Sequence, residues 1–132
     1  AVLAALLDHP SIVPVYDFGR DEDQRPLLAM KLVDGKEWTD LLREERSGLD
    51  REAFLRRHVG LLVSVARAVA FAHGRGVVHR DLKPGQVMVS PQGDAYLMDW
   101  GLAAVFDPEA ARRHGTILPP GSLLADAPNP AG

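Results

Sequence analysis

Residues His79-Arg80-Asp81-Leu82-Lys83-Pro84-Gly85-Gln86 put a carboxylate, a lysine and a carboxamide into one short stretch, and Asp99-Trp100-Gly101 adds a second carboxylate. Asp81 and Asp99 lie 18 positions apart, with two short apolar runs and a turn between them. A carboxylate can accept a proton or hold a hard cation, and a lysine supplies a point positive charge. Either motif alone is weak, since an Asp-x-Gly tripeptide is usually just a turn. The pair carries the information, through the elements that set its spacing.

Those elements can be read along the chain. Val2-Leu3-Ala4-Ala5-Leu6-Leu7 is rich in helix formers and stops at Asp8-His9-Pro10, as the last turns of a helix would. Ile12 to Tyr16 reads as a strand with Pro14 at an edge or bulge. A polar turn from Gly19 to Pro26 leads to a second apolar run, Leu27 to Val33, and the two suggest an antiparallel pair. Asp34-Gly35 marks a turn, and Trp38 to Arg46 a short helix. The longest helix is predicted from about Arg51 to His73. Val59, Leu62, Val63, Ala66, Val69, Ala70 and His73 form its apolar stripe, and Gly74 and Gly76 its stop. Val87-Met88-Val89 and Tyr96-Leu97-Met98 flank Pro91-Gln92-Gly93-Asp94 as a hairpin. After Val105 the prolines, glycines and alanines predict a mobile stretch without a core of its own.

With 46% hydrophobic and 25% charged residues, the composition is that of an ordinary globular domain. No apolar run approaches the roughly 20 residues that cross a bilayer, and nothing at the start reads as a signal peptide. The absence of cysteine excludes disulfides and thiolate zinc sites, and no His/Asp/Glu group has zinc-site spacing. A net charge of −3 argues against a nucleic-acid surface. Arg51, Arg56 and Arg57 are balanced by Glu44, Glu45 and Glu52 and read as a solvated helix face.

In this order, elements and motifs resemble a eukaryotic-like (bacterial-type) Ser/Thr protein kinase catalytic domain. The signature of that family joins His-Arg-Asp-Leu-x-x-x-Asn to a later Asp-Phe-Gly. His9-Pro10-Ser11-Ile12-Val13 is similar to the His-Pro-Asn-Ile-Val before the family's strand 4, and Leu28 to Gly35 to its strand 5 and hinge. Met30-Lys31-Leu32-Val33 and Asp99-Trp100-Gly101-Leu102-Ala103 resemble bacterial kinases found in large multidomain proteins. The implied fold is α+β and a partial protein-kinase-like one. It comprises the end of helix C, strands 4–5, a hinge, helices D–E, the catalytic-loop hairpin and the start of the activation segment. Residues 1–33 would be small-lobe remnant and hinge, 34–105 the start of the large lobe, and 106–132 an activation-segment-like tail.

The resemblance also implies roles. The reaction would be transfer of the ATP γ-phosphoryl group to Ser or Thr of a protein, with ATP and Mg²⁺ as cofactors. Asp81 would take the hydroxyl proton, Lys83 would set a positive charge near the phosphate, and Asp99 and Gln86 would hold metal. Backbone groups of Lys31 and Val33 would meet the adenine, with Met30 as gatekeeper and Met88 as floor. Arg80 would pair with a phosphate on the activation segment, for which Thr116 and Ser122 are the candidate acceptors. Plainer readings stand beside these: core methionines, a surface lysine and an unmodified loop. His73, His79 and Trp100 read as packing residues rather than ligands.

Gln86 stands where the family carries Asn, and it moves the amide outward by roughly one carbon–carbon bond, about 1.5 Å. The given sequence shows no glycine-rich loop, no Val-Ala-x-Lys and no Ala-Pro-Glu. The expectation is therefore a piece of a longer, cytoplasmic or cytoplasm-facing kinase, inactive alone. A pseudokinase-like module that binds nucleotide or protein is the alternative. A non-functional truncated product is the third reading, and it predicts an uncovered apolar face on the long helix.

Overall fold

Asp50 begins the longest element and Gly76 ends it. In the computed structural model, which describes residues 2–115, the Asp50 side chain accepts the Ala53 N–H at 2.9 Å. That bond satisfies one of the donors a helix start leaves open. Gly76 sits at φ +75° and donates its N–H to the His73 carbonyl at 2.9 Å, a left-handed cap that suits a residue without Cβ. Gly74, also expected as a stop, is the last helical residue.

The elements in order are α1 (Val2–Ala5), β1 (Val15–Arg20), β2 (Pro26–Met30), β3 (Lys36–Glu37), α2 (Trp38–Glu45) and α3 (Arg51–Gly74). Then come β4 (Val77–Val78), β5 (Val87–Val89), β6 (Ala95–Leu97), β7 (Ala104–Val105) and α4 (Pro108–Arg113). β1 pairs with β2, β5 lies between β3 and β6, and β4 pairs with β7, all antiparallel. Helices and small antiparallel sheets are thus segregated, in the expected α+β arrangement. Ile12 joins the first hairpin to the second sheet by a parallel bridge to Leu97. In it the Leu97 N–H bonds the Ser11 carbonyl at 2.8 Å, and the Val13 N–H bonds the Leu97 carbonyl at 3.2 Å. Ile12, Ala68, Ala72, Val77, Val87 and Leu97 are each 1% exposed or less and form the centre of the core.

The long helix is where expectation and structure part. Its buried face is His58, Leu61, Val65, Ala68 and Ala72, packed on β4 and β6. Of the expected stripe only Val69 packs against the core. Val59 and Leu62 are 52% and 53% exposed, and Val63, Ala66, Ala70 and His73 are also exposed. Both sets recur with helical period, displaced by about one residue, so α3 is apolar on two faces. The strands take the face whose alanines permit close approach. Leu55, Val59, Leu62 and Val63 form the uncovered face.

Smaller differences have local causes. The first strand starts at Val15 rather than Ile12, because Ile12 is spent on the bridge to Leu97. β2 ends at Met30, and the chain from Lys31 to Asp34 leaves the sheet after one further bond, Lys31 N–H to the Pro14 carbonyl at 2.9 Å. Within the stretch expected to lack a core stands α4, with Ala110 and Ala111 buried. Asp107 caps it by accepting the Glu109 and Ala110 N–H groups, Pro108 opens it, and Arg112 and Arg113 complement its C-terminal end. Thr116 and Ser122 lie outside the described residues.

A buried polar contact fixes α2 to α3. The Trp38 indole N–H donates to His58 Nδ1 at 2.8 Å, which leaves the imidazole proton on Nε2. That nitrogen faces Glu45 Oε2 at 3.2 Å, and Arg57 Nε reaches the same oxygen at 2.8 Å. Both approaches are off the hydrogen-bond direction, so Arg57 meets Glu45 as a close charge contact and the His58 ring meets it as a polar one. Replacing His58 by Ala strands a buried indole donor, a loss of about 1–3 kcal/mol, and removes a ring contact to Phe54. We expect a lower urea midpoint for the domain carrying His58→Ala, partly restored in His58→Gln. An unchanged midpoint would show that α2 is held by other contacts.

Candidate active site

His79 anchors the loop that follows β4. It is 1% exposed, and its Nδ1 accepts the Asp81 N–H at 3.2 Å. Nε2 therefore carries the proton and donates to the Met98 carbonyl at 2.9 Å. The Trp100 ring meets the imidazole edge-on, with centroids 4.7 Å apart. One buried imidazole thus ties the Asp81 backbone to the residue before Asp99. The packing role read for His79 and Trp100 is the one the structure shows.

Two residues of this region take left-handed backbone conformations without being glycine: Arg80 at φ +70° and Asp99 at φ +51°. Such conformations cost of order 1 kcal/mol or more for an ordinary residue and persist where surroundings hold them. Arg80 is held by its Nε donating to the Leu102 carbonyl. Asp99 is held by its own Oδ1, which accepts the Gly101 N–H at 3.3 Å.

The site residues then converge. Gln86 closes a single 3-10 turn, Pro84–Gln86, with its N–H on the Lys83 carbonyl and its carbonyl accepting the Met98 N–H at 2.7 Å. Its side-chain Nε2 donates to Asp81 Oδ2 at 2.8 Å and to Asp99 Oδ2 at 3.2 Å. Lys83 Nζ stands 3.2 Å from each Asp81 oxygen. The hydrogen bond from Gln86, then that from Lys83, hold the Asp81 carboxyl below the usual carboxylate range. It stays ionised through neutral pH and loses its charge only in more acidic solution than an ordinary aspartate. Asp81, Lys83, Gln86 and Asp99 form one cluster, while Arg80 points away from it to Leu102.

Hard oxygen donors suit a cation such as Mg²⁺, and Asp99 offers one carboxylate oxygen that no side chain among the described residues claims. Gln86 presents its NH₂, the end that cannot ligate. Among the described residues no group of three or more His, Asp or Glu side chains forms a ready-made metal site. The donor set therefore fits a cation shared with phosphate oxygens and waters.

In the segment expected as the hinge, one backbone group is already engaged. The Lys31 N–H is spent on the Pro14 carbonyl, and the Val33 backbone has no partner among the described residues. Lys31 Nζ binds the Tyr96 hydroxyl at 3.0 Å and lies 4.6 Å from the ring centre. That bond holds the ammonium above the ordinary lysine range. Met88 is half-buried, between Glu37 on β3 and Tyr96 on β6. A cavity of about 290 Å³ lies between residues 31–34 and the β5–β6 turn, lined also by Tyr96. Neither Met88 nor Asp81 nor Asp99 lines it, so it is separate from the Asp81 cluster. Sequence reasoning missed Tyr96 as the lysine's partner. It also missed Glu37 and Thr39, whose side chains stand over Gly85. Glu37 lies on a two-residue strand, which leaves no periodic signal, and Thr39 lies in the first turn of α2.

A family model described as protein kinase domain matches residues 1–118. The serine/threonine-protein kinase PknA of Mycobacterium tuberculosis is 32% identical over 125 residues, covering 92% of this chain and 28% of that protein. The probable serine/threonine-protein kinase SCO3848 of Streptomyces coelicolor is 37% identical over 103 residues, 76% of this chain and 15% of its own length. For the serine/threonine-protein kinase PknB of Mycolicibacterium smegmatis the identity is 35% over 103 residues, 76% of this chain and 16% of that protein. The chain spans less than a third of the length of these relatives. Among the described residues no helix is long and apolar enough to cross a membrane.

Proposed function

The chain belongs to the protein kinase domain family, and on that premise we propose that the protein containing it transfers the γ-phosphoryl group of ATP to serine or threonine of protein substrates. The observation that supports this most is the gathering of Asp81, Lys83 and Asp99 around the Gln86 carboxamide, from both sides of the β5–β6 hairpin. Phosphoryl transfer asks a protein mainly for positioning and charge neutralisation. Asp81, ionised at neutral pH, accepts the proton of the incoming hydroxyl and aims that hydroxyl in line. Lys83 sets its ammonium beside the same carboxylate, where it also faces phosphate oxygens. Asp99 is the carboxylate that would hold magnesium, which would supply neutralisation of phosphate charge. The Lys31 carbonyl and the Val33 backbone meet the adenine, Met30 backs it and Met88 lies beneath. Arg80, which spends only Nε among the described residues, reads a phosphate on Thr116 or Ser122. The setting is cytoplasmic, or the cytoplasmic side of a larger protein.

A second reading, a nucleotide- or protein-binding module without catalysis, is favoured by Gln86, whose amide hydrogens occupy both carboxylates. Incubating the longer protein with γ-labelled ATP and Mg²⁺ separates the two. We expect label on serine or threonine that is lost in Asp99→Asn. Saturable nucleotide binding with no label transferred would leave the binding module.

A further inference from the structure

Three groups compete for the four carboxylate oxygens of the site, and the competition is nearly settled before any ligand arrives. Asp81 has both oxygens engaged, one shared between Lys83 and Gln86 and the other facing Lys83. Asp99 Oδ2 is engaged by the same Gln86 nitrogen at 3.2 Å. Among the described residues only Asp99 Oδ1 remains without a side-chain partner, accepting a long 3.3 Å bond from the Gly101 N–H.

The orientation of the Gln86 amide is dictated by its neighbours. Ionised carboxylates can only accept, so the end of the carboxamide that faces two of them must be the NH₂. Turning the amide to offer Oε1 to a cation would give up two charge-assisted bonds, which the cation's coordination would have to outweigh. The two amide hydrogens lie between Asp81 and Asp99 and screen their mutual repulsion, the service a second cation would perform. Reach is what makes the bridge possible. An Asn at this position would be shorter by about one carbon–carbon bond, roughly 1.5 Å, and could not span both carboxylates from the same backbone.

We propose that Gln86 is a positioning residue whose carboxamide takes the place of a second cation, so that the nucleotide-bound site holds one divalent ion, on Asp99, and not two. This rests on the reading of the cluster as a nucleotide site. Mn²⁺ is the probe, titrated into the longer protein saturated with a non-hydrolysable ATP analogue, with free Mn²⁺ followed by electron paramagnetic resonance. The expected count is one nucleotide-dependent Mn²⁺ in the parent protein. In Gln86→Asn we expect two, the second bound at least about tenfold more tightly than any second ion in the parent. Two ions in the parent overturn the proposal however the variant behaves. One ion in both proteins overturns the role of Gln86 in setting the count. No nucleotide-dependent Mn²⁺ in either protein would instead overturn the nucleotide-site reading itself.

Discussion

On the proposed function, replacing Asp81 by Asn is expected to lower phosphoryl transfer by the longer protein by roughly 10²–10⁴-fold, the usual worth of a positioned general base. The substitution keeps the size of the side chain but removes its charge. Lys83 then loses the carboxylate that both of its 3.2 Å contacts serve. An amide in place of the carboxylate cannot take the hydroxyl proton, even where its oxygen still accepts from Gln86 Nε2. The His79 anchor is a contact to the Asp81 backbone, so the loop should keep its shape. Nucleotide affinity should therefore change little while the rate falls. Stopped-time label transfer at saturating ATP measures the rate, and a fall of less than about tenfold would remove Asp81 from the proton transfer.

A comparably large effect on stability is expected at Gly76. Its left-handed φ alone would cost an alanine about 1–2 kcal/mol. A Cβ there would also lie 2.2 Å from the Asp107 carbonyl oxygen and 3.1 Å from the Ala111 nitrogen, both backbone atoms that no rotamer change can move. Gly76 further accepts the Phe106 N–H at 2.8 Å, so the cap of α3 and the start of α4 are one joint. Gly93 is the internal control, since it sits at φ +93° with open space around its missing side chain. Gly93→Ala should show the conformational cost alone. Gly76→Ala should add to it and should raise hydrogen exchange across residues 104–113. Equal losses in the two variants, with α4 equally protected, would mean that α4 does not lean on Gly76.

What could be read in advance was whatever is written locally. The helix α3 was expected from about Arg51 with Gly76 as its stop, because helix ends are decided by one or two residues. The β5–β6 hairpin was legible because Ser90 to Asp94 form their own turn, with bonds from the Ser90 and Gly93 N–H groups inside it. The helix α4 was missed although Asp107-Pro108-Glu109 is a sound start signal; the surrounding prolines and glycines outweighed it. The face of α3 was not legible at all. Leu61 and Leu62, Val65 and Ala66, compete as neighbours, and only the strands that arrive later in the chain decide between them. The identities of Asp81, Lys83, Gln86 and Asp99 stood in the motifs. The amide bridge did not, because it depends on two carboxylates brought together across a hairpin. Lys31 and Tyr96 illustrate the same limit, as partners 65 positions apart.

The left-handed backbones of Arg80 and Asp99 narrow the ways in which this loop can change by mutation. Glycine, asparagine and aspartate tolerate such a conformation best, while a β-branched side chain would strain it. At position 99 the replacement easiest on the backbone is asparagine, which discards the charge and keeps the shape. Descendants of this sequence that lose their chemistry would thus tend to retain the contour of the site, and contour alone would be a poor witness to which of them still work.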